Sequence, residues 1–189
     1  INIDRYLAIK AHLLKFKDKL MPKPKDWQGE WRGRKPGDYG WFEIQDSVVY
    51  HYEFEKPKIM WQWTSKEPAY TWDIMGMYAP NNVFIMTNAS KYILALLNSK
   101  LITWYFEKIS PKVRGGTLIF AKAYIDPIPL VDVQDSISRT FEALANYIMF
   151  LSSTKDLRES EEDLISFIDV QVLDTLIYEL YFKQKFIED

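Results

Sequence analysis

Cysteine is absent from these 189 residues, and histidine occurs only twice, at His12 and His51. The first absence excludes disulfides and thiolate metal sites and fits a reducing cytoplasm. The second leaves little from which to build a histidine metal centre or a histidine acid-base pair, and His12 sits inside a helical pattern where a structural role is the simpler reading. Gly-x-Gly does not occur, so the usual glycine-rich cofactor loop is missing. No apolar run approaches the roughly 18 residues of a membrane span. The chain does not open on a charged-then-apolar signal segment. Its first residue is Ile1 and not methionine, from which we expect a piece of a longer protein with catalysis elsewhere.

What is present is ample apolar material and an uneven distribution of charge. The chain is 48% hydrophobic, enough for one or two modest cores, and its formal net charge is −2. Residues 1–130 carry 19 Lys+Arg against 13 Asp+Glu, whereas residues 131–189 carry 5 against 13. Such asymmetry predicts that one part meets an anion and the other does not. The basic excess is densest between residues 5 and 35, where ten basic residues face three acidic ones.

Tyr6, Ile9, Leu13, Phe16 and Leu20 recur at helical spacing and predict a helix over Asp4 to Leu20. From Met21 the pattern gives way to a Pro- and Gly-rich stretch interleaved with Trp27, Trp31, Trp41 and a cluster of Lys and Arg. It is too aromatic for a disordered linker and reads as a long ordered loop whose tryptophans pin it to the core. Lys58 to Thr64, Ala69 to Ile74 and Val83 to Thr87 are short β-type runs separated by turn signals, and Thr117 to Tyr124 is a fourth strand for the same sheet. Between them, Leu94, Leu97, Leu101, Trp104 and Tyr105 form the buried stripe of a helix capped at Ser90 and stopped after Ile109 by Pro111.

Beyond Val131, Ile137, Phe141, Leu144, Ile148 and Leu151 mark one acidic helix. Leu164, Phe167, Ile168, Leu176 and Leu180 mark a second, capped at Ser160. The expected class is therefore α+β: a mixed or antiparallel sheet with packed helices and a long Trp/Gly/Pro-rich loop over residues 1–130, then an acidic helical hairpin over 131–189 that packs on it or on a parent protein.

Three short motifs are the most specific part of the chain: Leu-Leu-Asn-Ser-Lys-Leu at Leu96 to Leu101, Arg-Gly-Gly at Arg114 to Gly116, and Pro-Ile-Pro at Pro127 to Pro129. Upstream, Lys17 to Trp31, Arg34 to Asp46 and Glu55 to Trp61 precede them in the same order as in one family. The chain resembles the TaqI-like C-terminal specificity domain of adenine-N6 DNA methyltransferases and fused restriction-modification enzymes. A weaker likeness links Gly115 to Pro129 to type I restriction specificity subunits. The resemblance implies recognition of double-stranded DNA for methyltransferase and nuclease domains of the same parent, with S-adenosylmethionine and Mg2+ as cofactors of that parent and none in this fragment.

Under that resemblance the candidate DNA contacts are Lys23, Lys25, Arg32, Arg34, Lys35, Lys112, Arg114, Gly115, Gly116 and Lys122. Arginine can bind a guanine edge bidentately, whereas lysine and backbone amides hold phosphates. Related strands often carry basic or polar residues where this chain has Ile119 and Ala121. Base readout then falls to Arg32, Arg34 and Arg114, with Lys112 and Lys122 on phosphates. No catalytic set is expected. The chain lacks the Pro-Pro pair with which adenine methyltransferases hold a flipped base, and no lysine has Asp or Glu two positions before it, as common nuclease motifs require. The competing expectation is a protein-interaction module that docks through the aromatic loop and the acidic helices.

Overall fold

The computed structural model describes residues 2–46, 48–113, 115–153 and 159–183. The chain forms two compact units, Ile1–His51 and Tyr52–Asp189. The class is α+β, with helices, two small antiparallel sheets and a helical C-terminal segment.

In the first unit the expected opening helix is broken into a 3-10 turn at Ile3–Arg5, α1 (Leu7–Leu14) and α2 (Lys17–Leu20). Tyr6, Ile9 and Phe16 of the predicted stripe stay exposed. Tyr6, Ile9 and Leu13 line an open cleft with Phe42 and Ile44 and are not packed into a core, so a short helix here has little to propagate it, since most helical stability in proteins comes from packing. Residues 21–48 contain neither helix nor strand among those described, and their order comes from side-chain to backbone hydrogen bonds.

The second unit holds the core. Strands β1 (Lys58–Gln62), β3 (Thr71–Asp73) and β4 (Val83–Thr87) form one antiparallel sheet in the order β3-β1-β4. β2 (Thr64–Ser65), β5 (Lys112–Val113) and β6 (Thr117–Ile119) form another in the order β2-β6-β5. The single sheet expected from sequence is thus two. The chain passes between them at Trp63, whose N–H donates to Asn82 O at 2.8 Å and whose carbonyl accepts from Phe120 N at 2.7 Å. The predicted strand Thr117 to Tyr124 ends at Ile119 and gives way to a short helix, α5 (Lys122–Ile125).

The predicted helix Ser90 to Ile109 is also two: α3 (Lys91–Asn98) and α4 (Lys100–Ile109). Ser90 caps the first as expected, its Oγ accepting from Ile93 N at 3.3 Å. Ser99 ends the first and starts the second, its backbone extended and its Oγ accepting from Ile102 N at 3.2 Å. Serine competes for backbone partners inside a helix and favours caps. The break resets the helical phase. Ile102 and Phe106 are therefore the buried positions of α4, and Trp104, expected in the stripe, is 58% exposed.

The C-terminal segment comprises α6 (Asp135–Ser152), α7 (Glu159–Ser166), a π-helical stretch Phe167–Leu173 and α8 (Asp174–Phe182). Ser160 lies inside α7 and does not cap it. The π stretch, with its i to i+5 bonding, shifts the stripe, so Ile168, Leu173 and Ile177 are buried while Phe167 is exposed. Phe141, Leu173 and Ile177 close a cluster with Tyr92, Ala95 and Leu96 of α3. A second cluster gathers Ile59, Trp61, Leu97, Phe106, Leu118 and Phe120.

Two of the motifs that carried the resemblance, Leu-Leu-Asn-Ser-Lys-Leu and Pro-Ile-Pro, are joints of this core. Asn98 donates to Tyr70 O at 3.0 Å and accepts from Tyr70 N at 3.1 Å, fixing the entry to β3. Lys100 N donates to Asp174 Oδ1 at 2.9 Å. Ile128 of Pro-Ile-Pro is buried, and Pro129 O accepts from the Tyr181 hydroxyl at 2.5 Å. The Tyr92 hydroxyl donates to Val131 O at 2.8 Å, and burial pushes its pKa up to about 12, so it stays a neutral donor.

Candidate nucleic-acid interface

In the first unit the basic loop is built around Arg34. Its backbone N–H donates to Met21 O at 2.9 Å and its carbonyl accepts from Lys23 N at 3.0 Å, so residues 21–23 and 34 run as a short parallel bridge. Its guanidinium donates to four carbonyls: Nε to Leu20 at 2.8 Å, one terminal nitrogen to Glu43 at 2.6 Å, and the other to Gly40 and Trp41 at 3.1 and 3.0 Å. Tyr39 lies against its face at 4.6 Å. Four of the five N–H groups are spent inside the loop, which leaves no free fork for a guanine edge. Arg34, expected to read bases, is instead the clamp that gathers residues 20 and 40–43.

The tryptophans serve the same loop. Trp31 Nε1 donates to Met21 O at 3.1 Å, and Trp27 Nε1 donates to Glu30 O at 3.1 Å. Their rings meet edge to face at 5.2 Å. Gly33 sits so close beneath that a Cβ there would lie 2.2 Å from Met21 O and 2.5 Å from Trp31 Nε1, so no larger residue fits without moving backbone. Trp31 is half-buried, whereas Trp27 remains 49% exposed.

The other expected contacts divide by what already occupies them. Lys23 Nζ reaches Gly29 O at 3.3 Å. Lys35 pairs with Asp46 at 2.9 Å, and that hydrogen bond and charge hold the lysine pKa above, and the carboxyl pKa below, their ordinary values. Both partners are exposed, so the pair contributes little to stability and can open to a competing anion. Lys25 and Arg32 are exposed and have no hydrogen-bond or ion-pair partner among the described residues. Arg32 borders a cleft of about 380 Å³ shared with Trp27, Trp31 and Glu30.

In the second unit, Lys112 and the two glycines form a β-hairpin tip. β5 and β6 pair with Lys112 opposite Leu118 and Val113 opposite Thr117. Gly115 and Gly116 turn the chain at φ of +85° and +78°, and Gly116 N donates to Val113 O at 3.1 Å. That left-handed region suits glycine. A Cβ at either glycine would meet nothing within 4 Å, so the tip is open to an approaching backbone. Ser110 braces its base, its Oγ donating to Ile119 O and accepting from Ile119 N, both at 3.0 Å. Lys112 is exposed and unpaired among the described residues. Arg114 lies outside the described residues. Lys122, read as a strand residue, opens α5 and pairs with Asp126 at 2.7 Å.

The structure therefore gathers Lys23, Lys25, Arg32, Arg34 and Lys35 in one loop system, and Lys112, Gly115 and Gly116 on one hairpin. Among the described residues no group of three or more His, Asp or Glu is placed to hold a metal ion, and no helix is long and apolar enough to cross a membrane. The sequence ends a strand at Ile74 and gives no role to the Met-Gly-Met-Tyr run that follows; in the structure β3 ends at Asp73, and Ile74, Met75, Met77 and Tyr78 are exposed. The run's one visible signal is a glycine within apolar residues bounded by Asp73 and Pro80.

An α+β scaffold that presents free cations from a clamped loop and a glycine hairpin defines a binding module, and the comparison with known families gives its class: a DNA specificity domain of restriction-modification enzymes. The chain belongs to the family described as the TaqI-like C-terminal specificity domain, whose model matches residues 1–130. No curated protein is matched by the sequence at a significant level. The family's domain confers specificity and is not itself catalytic.

Proposed function

We propose that this chain reads a short sequence in double-stranded DNA and positions it for an adenine-N6 methyltransferase, and a nuclease, carried elsewhere in a longer enzyme. S-adenosylmethionine and Mg2+ belong, in this reading, to those catalytic parts. The observation that carries it is that Lys25, Arg32 and Lys112 are cations unpaired among the described residues, on a chain of this family. Residues 1–130 form the recognition part. Residues 131–189 brace it, which the burial of Phe141, Leu173 and Ile177 against α3 supports. That burial also counts against a protein-docking role for the apolar faces of the acidic helices.

Arg32 is the base-reading candidate, because its guanidinium is free where that of Arg34 is not. Lys25 and Lys112 act on phosphates, with the Gly115-Gly116 tip close to the same backbone. Selection from a random duplex library, followed by titrations at several salt concentrations, tests the assignment. Arg32→Ala should cost about 1–3 kcal/mol on the selected site and much less on mismatched duplexes. Lys112→Ala should weaken all sequences alike and lower the log-salt slope by about 1. Absence of salt-dependent duplex binding would overturn the function itself, and equal losses on matched and mismatched DNA for both variants would overturn the division of roles.

A further inference from the structure

The segment Ile74–Tyr78 exposes apolar side chains on a backbone that is tightly fixed. Ile74 is 67%, Met75 83% and Met77 59% exposed. Beneath them Asp73 is buried and forms an ion pair with Lys58, itself fully buried, whose ammonium also donates to Phe54 O. The same carboxylate accepts from Met75 N at 3.0 Å and Met77 N at 2.9 Å. Burial opposes ionisation of Asp73, but the Lys58 ammonium and these two amides outweigh it and hold its pKa below the ordinary carboxylate value. Between the two amides Gly76 turns at φ +70°. At the far end the Tyr78 ring stacks on Phe54 at 5.1 Å and its hydroxyl donates to Glu55 Oε1 at 3.1 Å.

Burying an ion pair costs desolvation and is weak as a source of stability. Here it serves to pin a turn at both ends while leaving Ile74, Met75 and Met77 in solvent. Side chains of these types are what proteins insert between base pairs, where one residue suffices to unstack a step. A stable protein interface would need about 800 Å² from each partner, more than a five-residue turn supplies. We propose that this turn is a wedge: on binding, Met75 enters a base step of the duplex and unstacks it, with Ile74 and Met77 against the flanking sugars. The inference rests on the DNA-reading function proposed above and adds to it a deformation of the target.

The test uses the 189-residue chain and duplexes of the selected sequence carrying 2-aminopurine at successive steps, with donor and acceptor dyes at the ends of a parallel set. Wild type should raise 2-aminopurine fluorescence several-fold at one step and shorten the end-to-end distance. Met75→Ala should abolish both signals at saturation and weaken binding about tenfold, with an unchanged unfolding midpoint because the side chain is exposed. Lys112→Ala should bind more weakly yet keep both signals at saturation. Duplex binding by wild type without unstacking, or full signals from Met75→Ala, would overturn the wedge and leave DNA reading intact. Failure of wild type to bind any duplex would remove both.

Discussion

No side chain described between residues 2 and 51 is buried, whereas every buried side chain of the described chain lies between residues 58 and 177. The two units reach order by different means. The second packs aromatic and aliphatic side chains, with Phe106 stacked on Phe120 at 4.5 Å and Trp61 on Phe84 at 5.8 Å. The first gathers carbonyls around one guanidinium and two indole N–H groups. A lobe held in this way can change exposed residues such as Lys25 and Arg32 without touching what holds it. A packed core has no such freedom, because interiors are dense enough to feel single methylenes. In the proposed reading, with Arg32 on the polar lobe as base reader and the glycine hairpin on the packed unit as backbone grip, what varies with sequence specificity would be separate from what holds any duplex.

The largest effect should come from the packed unit. Phe106→Ala removes a ring that is 1% exposed and should cost about 3–5 kcal/mol, seen as a fall in the denaturation midpoint of the core. A loss below about 1 kcal/mol would mean that this core is looser than its burial implies. Arg34→Ala should come next, costing about 2–4 kcal/mol locally, because four carbonyls lose a charged donor at once. Hydrogen exchange should then accelerate at amides paired within the loop, those of Lys23 and Glu43, while amides of β1 and β4 stay protected. Equal acceleration in both regions would show that the two units unfold together and that their contrast has no energetic meaning. Retained protection with lost sequence preference would instead restore Arg34 to base reading.

How much of this was legible follows the same division. The α+β class, the Ser90 cap, β4 and the stop at Pro111 rest on local patterns, and the structure agrees with each. The break at Ser99 was readable in principle from adjacent Asn and Ser within a helical run, but an unbroken apolar period concealed it, and Trp104 was misplaced as a result. The split into two sheets depends on the backbone of Trp63 bonding to Asn82 and Phe120, residues far apart in the chain, which no local pattern encodes. The clamp made by Arg34 is hidden for the same reason. A basic residue in an aromatic loop looks like a ligand contact until residues 40–43 fold back to occupy it. The exposed turn at Ile74–Tyr78 is not legible because Ile74 reads as the end of the strand from Ala69 and the short run after it has no period of its own, and only the buried Lys58–Asp73 pair shows that the turn is held open.

The smallest expected effect concerns a polar group within the packed unit. Asp174 is buried, and burial raises its pKa although the Lys100 amide and ammonium oppose this; the neighbouring Asp169, whose side chain is exposed, is raised by partial desolvation and then by the charge of Asp174. A carboxyl whose folded pKa lies above its unfolded value binds more protons in the folded state over the interval between them. Stability from these two groups is therefore present at low pH and is lost as the pH rises from about 4 through their folded values. Asp73 runs the opposite way: its lowered pKa stabilises the fold above the ordinary carboxylate value, and that contribution disappears on acidification. Asp174→Asn keeps an acceptor for Lys100 N and removes one charge. Its stability relative to wild type should rise with pH by about 1 kcal/mol or less across the carboxylate range, measured as denaturation midpoints at pH 4 to 7. A relative stability that falls with pH would mean that the charge of Asp174 is worth more to the start of α4 than its burial costs. The buried polar joint beneath the Leu-Leu-Asn-Ser-Lys-Leu motif would then be electrostatically anchored, as the Arg34 loop is, and the contrast between the two units would narrow.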